Sequence, residues 1–309
     1  ADEILVRIRA CAFNPIDFQM RRGLGESKLL TSHILGREFA GIVEDAGNSS
    51  FNIGDAVYAY AGSLGSNGTY ATHIALPKAL VAPIPVGFDF SQAASIPMVS
   101  LTALQCFERL MVKQEDSVFV AGGAGGVGKV LIALLKKSGV TKIVTTAGNK
   151  ESRNKLMDLG LPEDDILDYR SPQLSGRLMD SNGGKYFDYA VDIVGGSMSE
   201  ICSAVLKTFG VYADLAALTT EDCRNQLFDK AATVCNIANY AMAASGTQAG
   251  LSYYGEKLAY ISTLLRERKI APPEVISMGE FSAATVARAH QILEENAARG
   301  HKLVMSLPD

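Results

Sequence analysis

Ser117-Val-Phe-Val-Ala-Gly-Gly-Ala-Gly-Gly-Val-Gly128 decides the reading of this chain. An apolar strand over 117–121 stops at glycines. It gives way to Lys129-Val-Leu-Ile-Ala-Leu-Leu-Lys136, whose apolar positions fit a helix. Gly123, Gly125 and Gly128 match G-x-G-x-x-G. In such a turn the first glycine permits a tight bend, the second lets backbone approach a pyrophosphate, and the third lets helix and strand pack closely. The phosphates then meet a helix N-terminus, where free N–H groups and the helix dipole favour anions. Two other readings fit the glycines alone: a turn with no ligand, and a methyltransferase turn. The strand before and the helix after favour the dinucleotide turn. Gly123, Ala124, Gly125, Gly126, Val127 and Gly128 are therefore the expected pyrophosphate cradle.

Strands and helices alternate downstream. Thr141–Thr146 reads as a strand, Lys150–Leu159 as a helix, Asp165–Asp168 as a short strand and 171–181 as a helix. Tyr186–Val194 is a buried strand ending at Gly195-Gly196, followed by a helix over 197–207 and a strand over Gly210–Leu215. This series predicts an α/β fold with a doubly wound parallel sheet. Ligands bind outside the carboxyl ends of such strands, so Val194 and Gly195 are expected beside the ribose or nicotinamide. Residues 250–269 read as a helix closing this domain.

Residues 1–98 read differently. Ile4–Arg9, Ala40–Glu44, Asp55–Tyr60 and Thr69–Ala75 are short strands between Gly, Asn and Ser turns, with a loop at Gly62–Gly68. The tail, helical over Phe281–Arg299 and extended over His301–Ser306, has too little core of its own and is expected to return to this first domain. The predicted division is 1–98, 99–270 and 271–309.

Composition narrows the class. The 309 residues allow about two domains. Net charge is −4 with no long basic run, which argues against nucleic acid or an anionic membrane as partner. No apolar run is long enough to span a membrane, and the opening Ala-Asp-Glu is not a signal peptide. Cys11, Cys106, Cys202, Cys223 and Cys235 are odd in number and widely spaced, which fits a reduced, cytoplasmic setting.

The tip of the second strand bears on the cofactor. NAD-binding units place an acidic residue there to hold the ribose 2′-hydroxyl. Here Gly148 lies where it is expected, and Lys150 and Arg153 follow. A small residue with nearby cations suits a 2′-phosphate, hence NADP(H). The other role open to these two cations is to solvate a helix start.

Several stretches ahead of the glycine turn now carry weight together: Asn14-Pro-Ile-Asp17 with Arg21-Arg-Gly23, Leu35-Gly-Arg-Glu-Phe-Ala-Gly-Ile-Val43, Gly54-Asp-Ala-Val57 and Leu101-Thr-Ala103. Their order resembles the medium-chain dehydrogenase/reductase superfamily, and in detail its zinc-free quinone oxidoreductase (ζ-crystallin-like) branch. The resemblance runs through His301-Lys-Leu-Val304. It implies a GroES-like catalytic domain interrupted by a Rossmann domain, and a homodimer joined through Rossmann sheet edges. Family members carry further strands before the segment matching Ile4–Arg9, so either the chain starts inside the first domain or this edge is remodelled. The resemblance places Thr102 near the nicotinamide, its other role being to cap a helix turn, and Tyr169 near the adenosine end.

Where zinc enzymes of the superfamily place a cysteine, this chain has Asn14; where they have Gly-His-Glu, it has Gly36-Arg37-Glu38. No metal is therefore expected. The one alternative weighed is a site rebuilt from His33, Glu38 and His73. Without a Lewis acid, reduction of a quinone or of an alkene conjugated to a carbonyl is the accessible chemistry. Hydride arrives at carbon and charge delocalises onto oxygen, where hydrogen-bond donors suffice.

The expected catalytic residues are Asn14, Asp17, Arg37 and Tyr60. Asn14 either donates an amide N–H to the carbonyl or fixes the Asn-Pro turn. Asp17 orders that turn or pairs with Arg21. Arg37 either contacts substrate oxygen or pairs with Glu38 or Asp17. Family members often carry a tyrosine where this chain has Gln19, so Tyr58, Tyr60 and Tyr70 are the alternative donors, although such a tyrosine is more often a packing residue with a satisfied hydroxyl. The leading expectation is an NADPH-dependent quinone or enone reductase. A trans-acting enoyl reductase on acyl thioesters and a cofactor-binding protein with little catalysis are the alternatives.

Overall fold

The computed structural model describes residues 2–61 and 68–308. The loop expected at Gly62–Gly68 lies, apart from Gly68, outside them. The chain divides into two compact units, Ala1–Leu101 with Asn239–Asp309, and Thr102–Ala238.

The first unit begins with β1 (Glu3–Ala12), α1 (Pro15–Arg21), β2 (Glu38–Asp45), β3 (Ala56–Tyr60), β4 (His73–Pro77), β5 (Val81–Pro83) and α2 (Phe90–Ala94). Helix α3 (Pro97–Leu110) contains the division between units. The unit resumes with α9 (Ala241–Ala244), α10 (Gln248–Arg266), β12 (Val275–Glu280), α11 (Ala283–Glu294) and β13 (Lys302–Ser306). Its strands form one sheet in the order β12-β13-β1-β2-β3-β5, with β4 also on β1. β1 alternates inward Ile4, Val6, Ile8 with outward neighbours, as one buried face requires. Register then decides the site. Ala12 stands opposite both Glu38 and Val304, and Glu38 opposite Tyr60. One end of the sheet thus gathers the exit of β1 and the entry of β2.

The second unit runs β6 (Ser117–Ala121), α4 (Gly126–Lys137), β7 (Lys142–Ala147), α5 (Lys150–Asp158), β8 (Ile166–Asp168), α6 (Leu174–Ser181), β9 (Phe187–Asp192), α7 (Ser197–Val205), β10 (Leu206–Asp214), α8 (Glu221–Asp229) and β11 (Thr233–Asn236). All six strands pair in parallel, in the order β11-β10-β9-β6-β7-β8. The chain starts mid-sheet at β6, runs to one edge and returns to β9, so the order reverses between β6 and β9. That switch point is where an open α/β sheet binds ligands. Phe119, Leu178, Phe187, Leu206 and Tyr212 are among the buried residues of its core.

Several elements differ from the sequence reading. Helix α10, expected to close the second domain at residue 270, packs in the first unit: the Tyr58 hydroxyl donates to the Leu258 carbonyl at 2.8 Å and lies 2.9 Å from Ser262 Oγ. A strand was expected from Thr69, but Thr69 and Tyr70 donate their N–H groups to the Gly36 and Leu35 carbonyls, and pairing with β1 begins only at His73. α1, β5, α8, β11 and β12 were not anticipated. They are short or half-exposed and carry little periodicity of their own. The five cysteines are free and buried.

One lysine closes a helix. Lys230 Nζ donates to the carbonyls of Ser203 and Ala204 at 2.7 Å and of Leu206 at 2.6 Å, satisfying the end of α7. Lys230→Met should therefore lower stability by about 1–2 kcal/mol, read as an earlier urea midpoint at unchanged slope.

Candidate functional site

The glycine turn is built by close approach. A Cβ on Gly123 would lie 2.0 Å from Thr145 Oγ1, and one on Gly128 would lie 2.5 Å from Gly123 Cα. Both glycines are thus demanded by packing between β6, β7 and α4. The left-handed residue is Gly122, at φ +81°, rather than the first glycine of the motif. Gly125, the N-cap of α4, has only the Gly122 carbonyl near its Cβ position, at 3.3 Å. Its missing side chain leaves room above the helix N-terminus, where a pyrophosphate would fit. Ala124, Gly126 and Val127 are partly exposed beside it.

The strand tips add a shared device. Asp168, Asp192 and Asp214 end β8, β9 and β10, and each turns the chain with its carboxylate. Asp192 Oδ1 accepts from the N–H groups of Val194 at 2.9 Å and Gly195 at 2.8 Å. Its Oδ2 accepts from the Tyr212 hydroxyl at 2.6 Å. Asp214 Oδ1 accepts from Ala216 at 3.1 Å and Ala217 at 2.7 Å. The half-exposed Val194 side chain lies over the glycine turn, 2.9 Å from where a Gly122 Cβ would stand. Val194 and Gly195 therefore lie at the end of β9, beside the glycine turn.

At the tip of β7 lies a cleft of about 420 Å³ that includes Gly148, Lys150, Arg153, Asp168 and Arg170 in its lining. Gly148 is glycine because the Tyr169 ring fills its side: a Cβ would be 2.3 Å from Tyr169 Cε1. Asn149 caps α5, its Oδ1 accepting from Ser152 N at 2.8 Å. Lys150 has no hydrogen bond or ion pair among the described residues. Arg153 donates to the Glu163 carbonyl at 3.2 Å and lies 3.9 Å from its carboxylate.

In the first unit the register gathers a buried polar cluster. Lys302 Nζ lies 2.6 Å from Glu38 Oε1, with the two side chains 7% and 0% exposed. The lysine also donates to Asn14 Oδ1, and Asn14 Nδ2 donates to Glu38 Oε1 at 2.9 Å. Glu38 Oε2 accepts from Met98 N at 2.7 Å. Asn14 is thus held by both sides of its amide, with one amide hydrogen left. Asp17 Oδ2 accepts from Asn14 N at 2.8 Å and from the Tyr70 hydroxyl at 3.0 Å, while its buried Oδ1 has no partner among the described residues. Burial pushes the Asp17 carboxyl up to about 6. His290, also buried, lies 3.4 Å from the Tyr70 oxygen, and desolvation pulls its imidazole down to about 4.

Arg37 pairs with neither Glu38 nor Asp17. Its NH2 donates to Glu26 Oε2 at 2.5 Å and to Met20 Sδ at 2.7 Å, and its buried Nε has no hydrogen-bond partner among the described residues. Arg21 does not reach Asp17; it and Arg22 pair with Glu294. Tyr60, expected as a catalytic donor, is a core residue at 1% exposure, its ring 5.5 Å from that of Tyr254. Tyr58 is likewise spent on α10. Thr102 sits in the second turn of α3, too far along to cap its start. His33, Glu38 and His73 do not converge as ligands: Glu38 serves Lys302 and Asn14, and His73 pairs with Glu44 at 3.1 Å. Lys302 was missed because a lysine at the head of a C-terminal strand reads as surface. Only the pairing of β13 with β1 brings it to Asn14.

Comparison with known proteins bears on both units. The alcohol dehydrogenase GroES-like domain model matches residues 1–86, and the zinc-binding dehydrogenase model matches 126–248. Quinone oxidoreductase of Sus scrofa is 30% identical over 196 residues, covering 62% of this chain and 58% of that protein. The reducing polyketide synthase rads1 of Floropilus chiversii is 25% identical across 99% of this chain, which spans only 12% of that protein's length. A solved structure of mycobacterial Rv1454c complexed with NADPH superimposes with a TM-score of 0.81 at 25% identity, covering 99% of this chain and 92% of that one. No helix among the described residues is long and apolar enough to cross a membrane.

Two outcomes follow from the buried cluster. Lys302→Met strands the Glu38 carboxylate and should cost roughly 3–5 kcal/mol, with Glu38→Gln in the same chain recovering part of it in urea unfolding. Asp17 holds its proton to about pH 6 when folded, against 3.8 ordinarily, so stability should fall as pH rises from about 4 to 6. Asp17→Asn should flatten that part of the stability–pH curve.

Proposed function

The chain belongs to the medium-chain dehydrogenase/reductase superfamily, and on that premise we propose that it is a metal-independent, NADPH-dependent reductase of carbon–carbon double bonds conjugated to a carbonyl. The observation that carries the cofactor choice is the tip of β7. Gly148 and the Tyr169 ring stand where a 2′-hydroxyl acceptor would be needed, and Lys150 beside them has no ion-pair partner among the described residues. A dianionic 2′-phosphate supplies the missing partner. Gly125 and the start of α4 hold the pyrophosphate, and Val194 lies over the glycine turn.

A nicotinamide bound at this edge would supply the hydride for the substrate carbon. The chain's own task is to receive the charge that develops on the carbonyl oxygen. Arg37, whose buried Nε has no partner among the described residues, and the remaining amide hydrogen of Asn14 are the proposed donors. Asp17 holds the Asn14 backbone through its capping contact and so orients the donor. Metal independence rests on the donor set. The Lys302 ammonium already sits on Glu38 and Asn14, and a guanidinium replaces the neighbouring ligand, an arrangement that repels a divalent cation.

A quinone or enone is the first substrate class. A second reading, reduction of an enoyl thioester, is favoured by the similarity to a reducing polyketide synthase along nearly the whole chain. Fluorescence titration should show NADPH binding more tightly than NADH. Lys150→Ala with Arg153→Ala should weaken NADPH by roughly 10- to 100-fold while sparing NADH; equal loss for both would sink the cofactor assignment. NADPH oxidation with phenanthrenequinone, compared with an enoyl thioester, separates the two substrate classes. Tight binding without turnover of either would mark a binding protein.

A further inference from the structure

Three cations line the cleft at the tip of β7, and two of them have partners: Arg153 the Glu163 backbone carbonyl, with its carboxylate at 3.9 Å, and Arg170 a carboxylate. Arg170 is held by Asp168 in a bidentate pair, Nε to Oδ1 at 3.0 Å and NH2 to Oδ2 at 2.9 Å. Asp168 stands in register with Ala147, so its carboxylate lies one strand over from the tip of β7. The guanidinium also sits 5.7 Å from the centre of the Tyr169 ring, the same ring that packs on Gly148. Both members of the pair are half-exposed, with side chains 61% and 40% accessible, so the guanidinium can change partner without unpacking the fold.

Resting on the reading of this cleft as the 2′-phosphate site, we infer that Arg170 is a second phosphate ligand held in reserve by Asp168, and that Asp168 thereby sets how strongly NADPH is preferred over NADH. A phosphate monoester carries more charge and more acceptor oxygens than a carboxylate, so it competes for the same guanidinium fork. Each binding event must then break the Asp168–Arg170 pair and leave a carboxylate beside the phosphate. Asp168 weakens NADPH binding by both routes and leaves NADH unaffected.

The test is titration of NADPH and NADH into the full chain and three single variants. Asp168→Asn should tighten NADPH by roughly 2- to 5-fold, the scale of releasing an exposed ion pair, with NADH unchanged. Arg170→Ala should weaken NADPH about tenfold, again sparing NADH. Equal shifts for both cofactors, or no change in NADPH with either variant, overturn the inference. Lys150→Ala keeps the two readings apart. If it weakens NADPH alone while Arg170→Ala and Asp168→Asn do nothing, only the reserve ligand fails. If it too leaves NADPH unchanged, the assignment of the cleft fails with it.

Discussion

The first turn of helix α4 meets the end of β6 backbone to backbone, with Thr145 of β7 filling the space behind. Gly128 rests on Gly123, Gly123 rests on Thr145, and Thr145 Oγ1 donates back to the Val120 carbonyl at 2.7 Å. Any Cβ at either glycine would push the helix off the sheet. Because the helix starts that close, its free N–H groups open directly at the switch point between β6 and β9, and the tips of β7 and β9 flank the same place. The dinucleotide edge of the second unit depends on this contact more than on the turn itself, whose left-handed residue is Gly122.

The first unit is organised around a different constraint, a charge that cannot be left unpaired. Glu38 is fully buried at the end of the sheet, and the structure spends Lys302, Asn14 and the Met98 N–H on it. Burying two charges costs several kcal/mol each, so such a pair survives only with its remaining hydrogen bonds satisfied. The arrangement fixes which way the Asn14 amide points. It also ties a residue near the chain's end to one near its start through the pairing of β13 with β1.

The fold class was legible from the glycine turn and the strand–helix alternation, because both are local patterns. The six-stranded order and the edge strand β11 were not, since four residues of modest periodicity carry no signal apart from their neighbours. On the cofactor side, the position of Gly148, Lys150, Val194 and Gly195 at strand ends was legible in the local pattern, and their role toward a cofactor is part of the proposal. The partners of Arg153 and Arg170 were not legible, because they depend on where β8 and its flanking turns bring Glu163 and Asp168.

What the sequence determined by itself is what short-range chemistry can specify: a βαβ unit with a glycine-rich helix start, and a β7 tip without a carboxylate. What only the tertiary structure decided is which polar groups remain available. Tyr60 reads as a donor on a strand yet is sealed against Tyr254. Arg37 reads as a substrate contact or a partner for Glu38 or Asp17, yet its NH2 is held by Glu26, and the unremarkable Lys302 becomes the counter-charge of the buried cluster. Hydrogen bonds and ion pairs are claimed by whichever groups the long-range register brings within about 3 Å, and sequence separation says nothing about that distance.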